Sequence, residues 1–109
     1  MIQAEFDTQG GRLSGFSVSG HAMFADAGED IVCAAVSSAV YMAANTLTEI
    51  LRLRPQIDLE EGRMRIAFRS PDEIQRAQDI LKGLQLHLTQ LASDYPNNIA
   101  VKLRGVKNA

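Results

Sequence analysis

Two glycine-containing segments, Gly10-Gly11 and Glu61-Gly62, each separate two stretches in which apolar and polar residues alternate. The apolar positions of these four stretches are Ile2, Ala4 and Phe6; Leu13, Phe16 and Val18; Ile57 and Leu59; and Met64, Ile66 and Phe68. Alternation with a period of two indicates a half-buried strand, and a tight turn between two such strands indicates a hairpin. The sequence therefore predicts two antiparallel hairpins. Gly15, inside the second stretch, predicts a bulge or a close approach of another backbone.

A segment rich in Ala and Ser follows the first hairpin and predicts a long helix. It runs from Ile31 to about Arg52 without Gly or Pro, and Asp30 in front of it is a favourable N-cap residue. Small side chains allow another backbone to pack closely, so we expect this helix at the centre of the domain. The preceding segment, Gly20 to Glu29, has no clean period and predicts a loop. A loop of that length in a small domain is more often functional than idle.

The second half of the chain predicts another helix and a last strand. Ser70 and Pro71, followed by two acidic residues, are typical of a helix start, and apolar residues recur every three or four positions from Ile74 to Leu91. Alternation from Ile99 to Leu103 predicts a fifth strand. The element order ββαββαβ predicts a two-layer α+β fold, in which a small antiparallel or mixed sheet has one face covered by two helices.

Composition narrows the class of protein. A chain of 109 residues with 46% hydrophobic and 22% charged residues is typical of one soluble globular domain, here residues 1–109. A net charge of -2 provides no basic field for binding nucleic acid directly. We find no apolar run near the roughly 20 residues of a membrane span and no signal peptide. The expected location is the cytoplasm, with no membrane partner.

Most of the reactive side chains lie between Gly20 and Ser37. Cys33 is the only cysteine, and we expect it in the first turn of the first helix, where backbone N–H groups and the helix dipole favour a thiolate. His21 is its candidate base, and Asp30 either caps the helix or orients His21. Ser37 is four residues beyond Cys33 and shares its helix face. Taken singly, a lone cysteine in an Ala-rich helix is most often a small buried residue, so only the joint placement favours a nucleophilic site.

At this point the sequence resembles a known family. Gly20-His21-Ala22, followed by Gly28-Glu29-Asp30-Ile31-Val32-Cys33-Ala34-Ala35-Val36-Ser37, closely resembles the signature of the ribosomal-processing cysteine proteases of the Prp family. The length and the order of elements are similar over essentially the whole chain. The resemblance implies a cytoplasmic bacterial endopeptidase that removes the N-terminal extension of large-subunit ribosomal protein twenty-seven during ribosome assembly. It also implies a homodimer that uses no metal or cofactor.

The resemblance extends to individual residues. It implies that Cys33 is the nucleophile and His21 the base of a Cys-His dyad that acts through a thioester acyl-enzyme. Backbone N–H groups at the helix start would hold the oxyanion. Gly20, Asp30 and Ser37 match further motif positions with supporting or substrate-binding roles.

Two functions of other classes remain open on the sequence. A non-enzymatic, ribosome-associated module would use the loop to bind a peptide and would keep its function when Cys33 is replaced by alanine. A thiol redox sensor would use Cys33 as its reactive group, although one cysteine cannot run a dithiol cycle within a single chain. We also expect the acidic residues Asp26 and Glu29 to attract a basic ribosomal substrate.

Overall fold

The structure, a computed structural model, describes residues 1–20 and 27–105, with residues 27–30 described as helical backbone. The strands are β1 (Ile2–Gln9), β2 (Arg12–Ser19), β3 (Gln56–Glu60), β4 (Arg63–Ala67) and β5 (Ile99–Gly105). The helices are α1 (Ala27–Asn45), which continues into a π-helical turn at Thr46–Ile50, and α2 (Pro71–Asp94). The order ββαββαβ is the predicted one, so the α+β prediction is confirmed.

The five strands form one mixed sheet in the order β3-β4-β2-β1-β5. β1 pairs in parallel with β5, and the other neighbouring pairs are antiparallel. Both predicted hairpins are present. Gly10 and Gly11 have φ angles of 60° and 78°, the left-handed conformation that a two-residue hairpin turn requires at both positions.

Helices α1 and α2 cover one face of the sheet and close a single apolar core. From the strands this core takes Ile2, Ala4, Phe6, Leu13, Phe16, Val18, Met64, Ile66 and Ile99, and from the helices it takes Val32, Val36, Val40, Ala43, Ile74, Ala77, Leu81, Leu84 and Leu88. The opposite face of the sheet carries charged side chains, among them Asp7 and Arg65. The predicted arrangement of two helices on one sheet face is therefore confirmed.

Gly15 lies where β2 is irregular and close to its neighbour. The β1–β2 register pairs Asp7 with Gly15 but Thr8 with Leu13, so Ser14 is the extra residue of a bulge. A Cβ atom on Gly15 would overlap the carbonyl oxygen of Ile66 in β4. The bulge and the close approach that the sequence predicts are both found at this point.

Helix α1 begins earlier than predicted. It starts at Ala27, so the prediction that Asp30 caps it is wrong, and Asp30 is instead the fourth residue of the helix. The physical reason is that Ala27 and Glu29 are compatible with helix, and acidic residues in a first turn interact favourably with the helix dipole. Cys33 consequently lies in the second turn and not in the first. The contribution of the dipole, which falls off within the first turn, is smaller there than the sequence suggested.

Helix α1 also ends differently. It was predicted to continue to about Arg52, but its α-helical part ends at Asn45 and the next turn is a π-helix. There the Leu51 N–H donates to the Thr46 carbonyl oxygen at 2.9 Å. Arg52 follows with a φ angle of 58°, which terminates the helical run.

The segment Ile31–Ile50 is long and apolar enough, by length and composition, to cross a membrane. The expectation that no run of this length is present is therefore wrong by that measure. In this fold the inward-facing side chains of the segment, from Val32 to Leu47, are buried in the core. The core helix of a globular protein passes the same test of length and composition, and packing explains the apolar character of the third of this segment that is buried.

Candidate active site

Cys33 lies in the second turn of α1, at the boundary between core and surface. Its side chain is half-buried and packs against the apolar core. Ser37, four residues later, is also half-buried and lies on the same flank of the helix. Reactive cysteines are partly exposed, whereas fully buried structural cysteines are inert. Cys33 is thus packed against the core without being fully buried.

A groove of about 280 Å³ lies beside α1, starting at Ser37. One wall comes from α1 and the other from the β3–β4 hairpin, and the lining residues are Ser37, Val40, Tyr41, Leu59, Glu60, Gly62, Arg63 and Met64. Its volume is at the lower end of the range for ligand sites, enough for a few side chains of a peptide. Of the predicted site residues, Ser37 lines this groove, and Cys33 precedes it by one helical turn.

Sequence reasoning missed the other groove residues. Tyr41 and Leu59 are 56% and 65% exposed, and both line the groove. The signal in the sequence was weak, because Leu59 matches the alternation of an ordinary half-buried strand. Only the placement of the second hairpin beside α1 shows that these side chains face one groove.

Gly20 directly follows β2 and contacts both Met1 and the β3–β4 turn. Its φ angle is 77°, and a Cβ atom there would overlap the carbonyl oxygen of Met1. Its N–H donates to the carbonyl oxygen of Gly62, in the β3–β4 turn, at 3.2 Å. Any other residue at this position would be strained. These contacts support a role for Gly20 in directing the chain that follows β2.

The remaining predicted site residues are only partly covered by the structure. His21 and Asp26 lie outside the described residues, and Glu29 and Asp30 are described as helical backbone alone. The structure therefore fixes the two ends of the intervening segment, Gly20 and Ala27, and leaves the Cys33–His21 pair as a prediction. Among the side chains that the structure describes, no group of three His, Cys, Asp or Glu residues could hold a metal ion.

The charges near the groove come from the second hairpin. Glu60 and Arg63 form an exposed ion pair with an N–O distance of 3.7 Å. Asp58 stands opposite Arg65 in the β3–β4 register, but the Arg65 guanidinium donates to Asp7 at 2.8 Å. Within residues 1–20 and 27–105, neither Asp58 nor Glu61 forms an ion pair. The second hairpin therefore carries two carboxylates without an ion pair, Asp58 on the sheet face away from the groove and Glu61 in the turn.

Comparisons with known proteins point to one family. The family model described as cysteine protease Prp matches residues 1–100. The chain is 32% identical over 91 residues to the ribosomal processing cysteine protease Prp of Bacillus subtilis, covering 79% of this chain and 81% of that protein. It is 27% identical over 95 residues to the protein of the same name from Staphylococcus aureus, covering 86% and 90% of the two chains.

Solved structures agree with this result. A crystal structure from Streptococcus mutans has a TM-score of 0.82 and 30% identity, and covers 97% of this chain and 96% of that one. The Staphylococcus aureus ribosomal processing protease Prp with a covalently linked product peptide has a TM-score of 0.81 and 27% identity, with 95% and 100% covered. The same protease with a substrate peptide has a TM-score of 0.84 and 24% identity, again with 95% and 100% covered.

Proposed function

The chain belongs to the Prp family of cysteine proteases, and we propose that it removes the N-terminal extension of large-subunit ribosomal protein twenty-seven in the bacterial cytoplasm. The observation that carries this proposal is the position of Cys33, the sole cysteine, half-buried in α1 one turn before an open groove. The relatives named ribosomal processing proteases support the substrate class, and the covalently linked product peptide of the Staphylococcus aureus protein supports covalent catalysis.

In the proposed reaction His21 takes the proton of the Cys33 thiol, and the thiolate attacks the scissile carbonyl carbon. The C–N bond breaks, His21 returns the proton to the departing amine, and the acyl part of the substrate stays on Cys33 as a thioester. Water then attacks the thioester, which releases a carboxylate and restores the thiol. Each step uses only the peptide, water and the two side chains.

The start of α1 supplies candidate donors for the oxyanion. Because the helix begins at Ala27, the N–H groups of residues 27–29 lack an intrahelical acceptor, and they lie about one turn before Cys33. We propose that these groups, and not the N–H of Cys33 itself, stabilise the negative charge on the carbonyl oxygen.

The groove would hold the substrate chain beside Cys33. Val40 on one wall and Leu59 and Met64 on the other give the groove an apolar lining against which a substrate side chain can pack, and Ser37 lies at the end nearer to Cys33. A peptide seated there places its backbone along the exposed flank of α1. We propose this placement as the basis of substrate positioning.

We propose that the protein acts as a homodimer. Between Ile31 and Thr48 no charged residue occurs, although Ile31 and Met42, which share one face of the helix, are 67% and 61% exposed. A helix face of this kind is typical of a subunit interface. Sedimentation velocity should give the mass of two 11.9 kDa chains, and Met42→Glu should shift the protein to one. A wild-type monomer at every concentration would contradict the dimer.

Peptide cleavage tests the proposed function. We expect the purified wild-type chain to cut a synthetic peptide spanning the N-terminal extension at one bond, as read by mass spectrometry, and Cys33→Ala to bind the peptide without cutting it. Binding by the wild type with no cleavage would overturn the protease assignment and favour the peptide-binding module.

A further inference from the structure

β3 is an edge strand whose outer side is unpaired. It pairs with β4 on one side, all five of its residues are exposed, and in the described part of the chain no backbone group is bonded to its other side. Such an edge presents a row of N–H and C=O groups that can pair with another extended chain. The sheet can therefore accept a sixth strand at this edge.

On the sheet face that packs against the helices, β3 carries apolar side chains that the helices do not cover. Ile57 and Leu59 stand opposite Ile66 and Met64 in the register, and those two partners are buried. Ile57 and Leu59 themselves are 47% and 65% exposed, and Leu59 also lines the groove. An added strand would cover these two side chains and would lead directly into the groove beside α1.

The charges of β3 determine which kind of strand fits. Asp58 lies on the other face of β3 and Glu61 in the adjoining turn, and within the described ranges neither has an ion-pair partner. Two copies of β3 paired edge to edge would place carboxylates near carboxylates, which is destabilising. A strand that carries Lys or Arg would be attracted instead. The edge thus disfavours a second copy of this chain and favours a basic segment.

We propose that β3 binds an extended, Lys- or Arg-bearing segment of the substrate polypeptide by strand addition, and that this segment continues into the groove beside Ser37. The inference rests on the proposed function and specifies how its substrate is recognised. A ribosomal protein suits this edge chemically, because chains that contact RNA phosphates are rich in Lys and Arg. Backbone pairing would supply affinity, and the carboxylates would supply the preference for basic sequences.

Backbone N-methylation tests the strand pairing. The probe is a fluorescent peptide spanning the N-terminal extension, methylated at one backbone nitrogen at a time and titrated against the Cys33→Ala chain by anisotropy. Strand addition predicts an alternating pattern, in which every second methyl group weakens binding about tenfold through loss of one backbone hydrogen bond. A flat profile along the peptide would overturn the proposal.

Charge neutralisation tests the preference for basic segments. The double variant Asp58→Asn, Glu61→Gln should bind the unmodified peptide about threefold to tenfold more weakly at low salt and show a shallower dependence on salt. The matched control Glu49→Gln, Asp79→Asn removes the same charge from exposed positions on the helices and should bind like the parent chain. Equal affinity of the two double variants would overturn the charge argument.

The outcomes separate this inference from the proposed function. Cleavage by the wild type together with a flat methylation profile would overturn strand docking and leave the protease assignment intact. An alternating profile without cleavage would support strand docking and overturn the protease assignment.

Discussion

The N–H of Gly20 donates a hydrogen bond to the carbonyl oxygen of Gly62 at 3.2 Å. This bond ties the residue after β2 to the turn of the second hairpin, so Gly20 lies beside Gly62, one of the residues that line the groove. Met1 restricts the same position, because its carbonyl oxygen occupies the space of a Cβ atom on Gly20. Glycine at this point is a requirement of the backbone, independent of any role in catalysis.

Replacing Gly20 by alanine is therefore expected to lower the free energy of unfolding by about 1–3 kcal/mol, because φ is 77° and the Met1 backbone must move. Urea unfolding followed by circular dichroism measures this loss, and kcat/KM for the peptide should fall with it. Gly83→Ala is the control, since Gly83 lies inside α2 with open space around it and should gain about 0.5–1 kcal/mol. Equal stability changes in the two variants would contradict the close approach at Gly20.

Asp7 should contribute strongly to stability although it lies on the sheet face that the helices leave open. Its side chain is 2% exposed and accepts a hydrogen bond from Arg65 at 2.8 Å. Asp7→Ala leaves the Arg65 guanidinium without this partner, and we expect a loss of about 2–4 kcal/mol in urea unfolding. Glu60→Gln, which removes only the exposed pair with Arg63, should cost less than about 1 kcal/mol. A similarly small loss of unfolding free energy in both variants would contradict a strong contribution of Asp7 to stability.

Tyr41 should act in substrate binding and not in stability. It lines the groove and is 56% exposed, so Tyr41→Ala should raise KM several-fold with little change in kcat, and should alter unfolding by less than about 0.5 kcal/mol. Leu86→Ala, at a comparably exposed position on α2, should leave both kinetic constants unchanged. Steady-state kinetics with the peptide decide the point. An unchanged KM in Tyr41→Ala would contradict the proposal that the groove binds the substrate.

Local rules predicted most of the fold. The hairpins follow from alternation and from the Gly10-Gly11 turn, which act over a few neighbouring residues. The start of α2 was equally clear, and the Ser70 hydroxyl accepts the predicted capping hydrogen bond from the Glu73 N–H at 3.3 Å. The sequence did not predict the first residue of α1 correctly. An Asp stabilises a helix by a similar small energy as its cap or within its first turn, so Asp30 does not mark the start.

Long-range contacts could not be predicted in this way. Asp7 and Arg65 are 58 residues apart, and nothing local distinguishes Arg65 from the solvent-exposed arginine of an ordinary strand. The groove likewise forms only when α1 and the second hairpin come together. Cys33 and Ser37 were predicted to share one flank because their spacing of four residues is a property of the helix alone.

In the proposed reaction Cys33 forms a thioester with the substrate. Wild-type protein mixed with the peptide, quenched in acid within the first turnover and analysed by intact mass spectrometry, should gain the mass of the acyl product less one water. Fragmentation should locate this addition on Cys33, and His21→Ala should reduce its rate of formation. Discrete cleavage of the peptide that persists in Cys33→Ala, with no acyl addition in the wild type, would contradict the account.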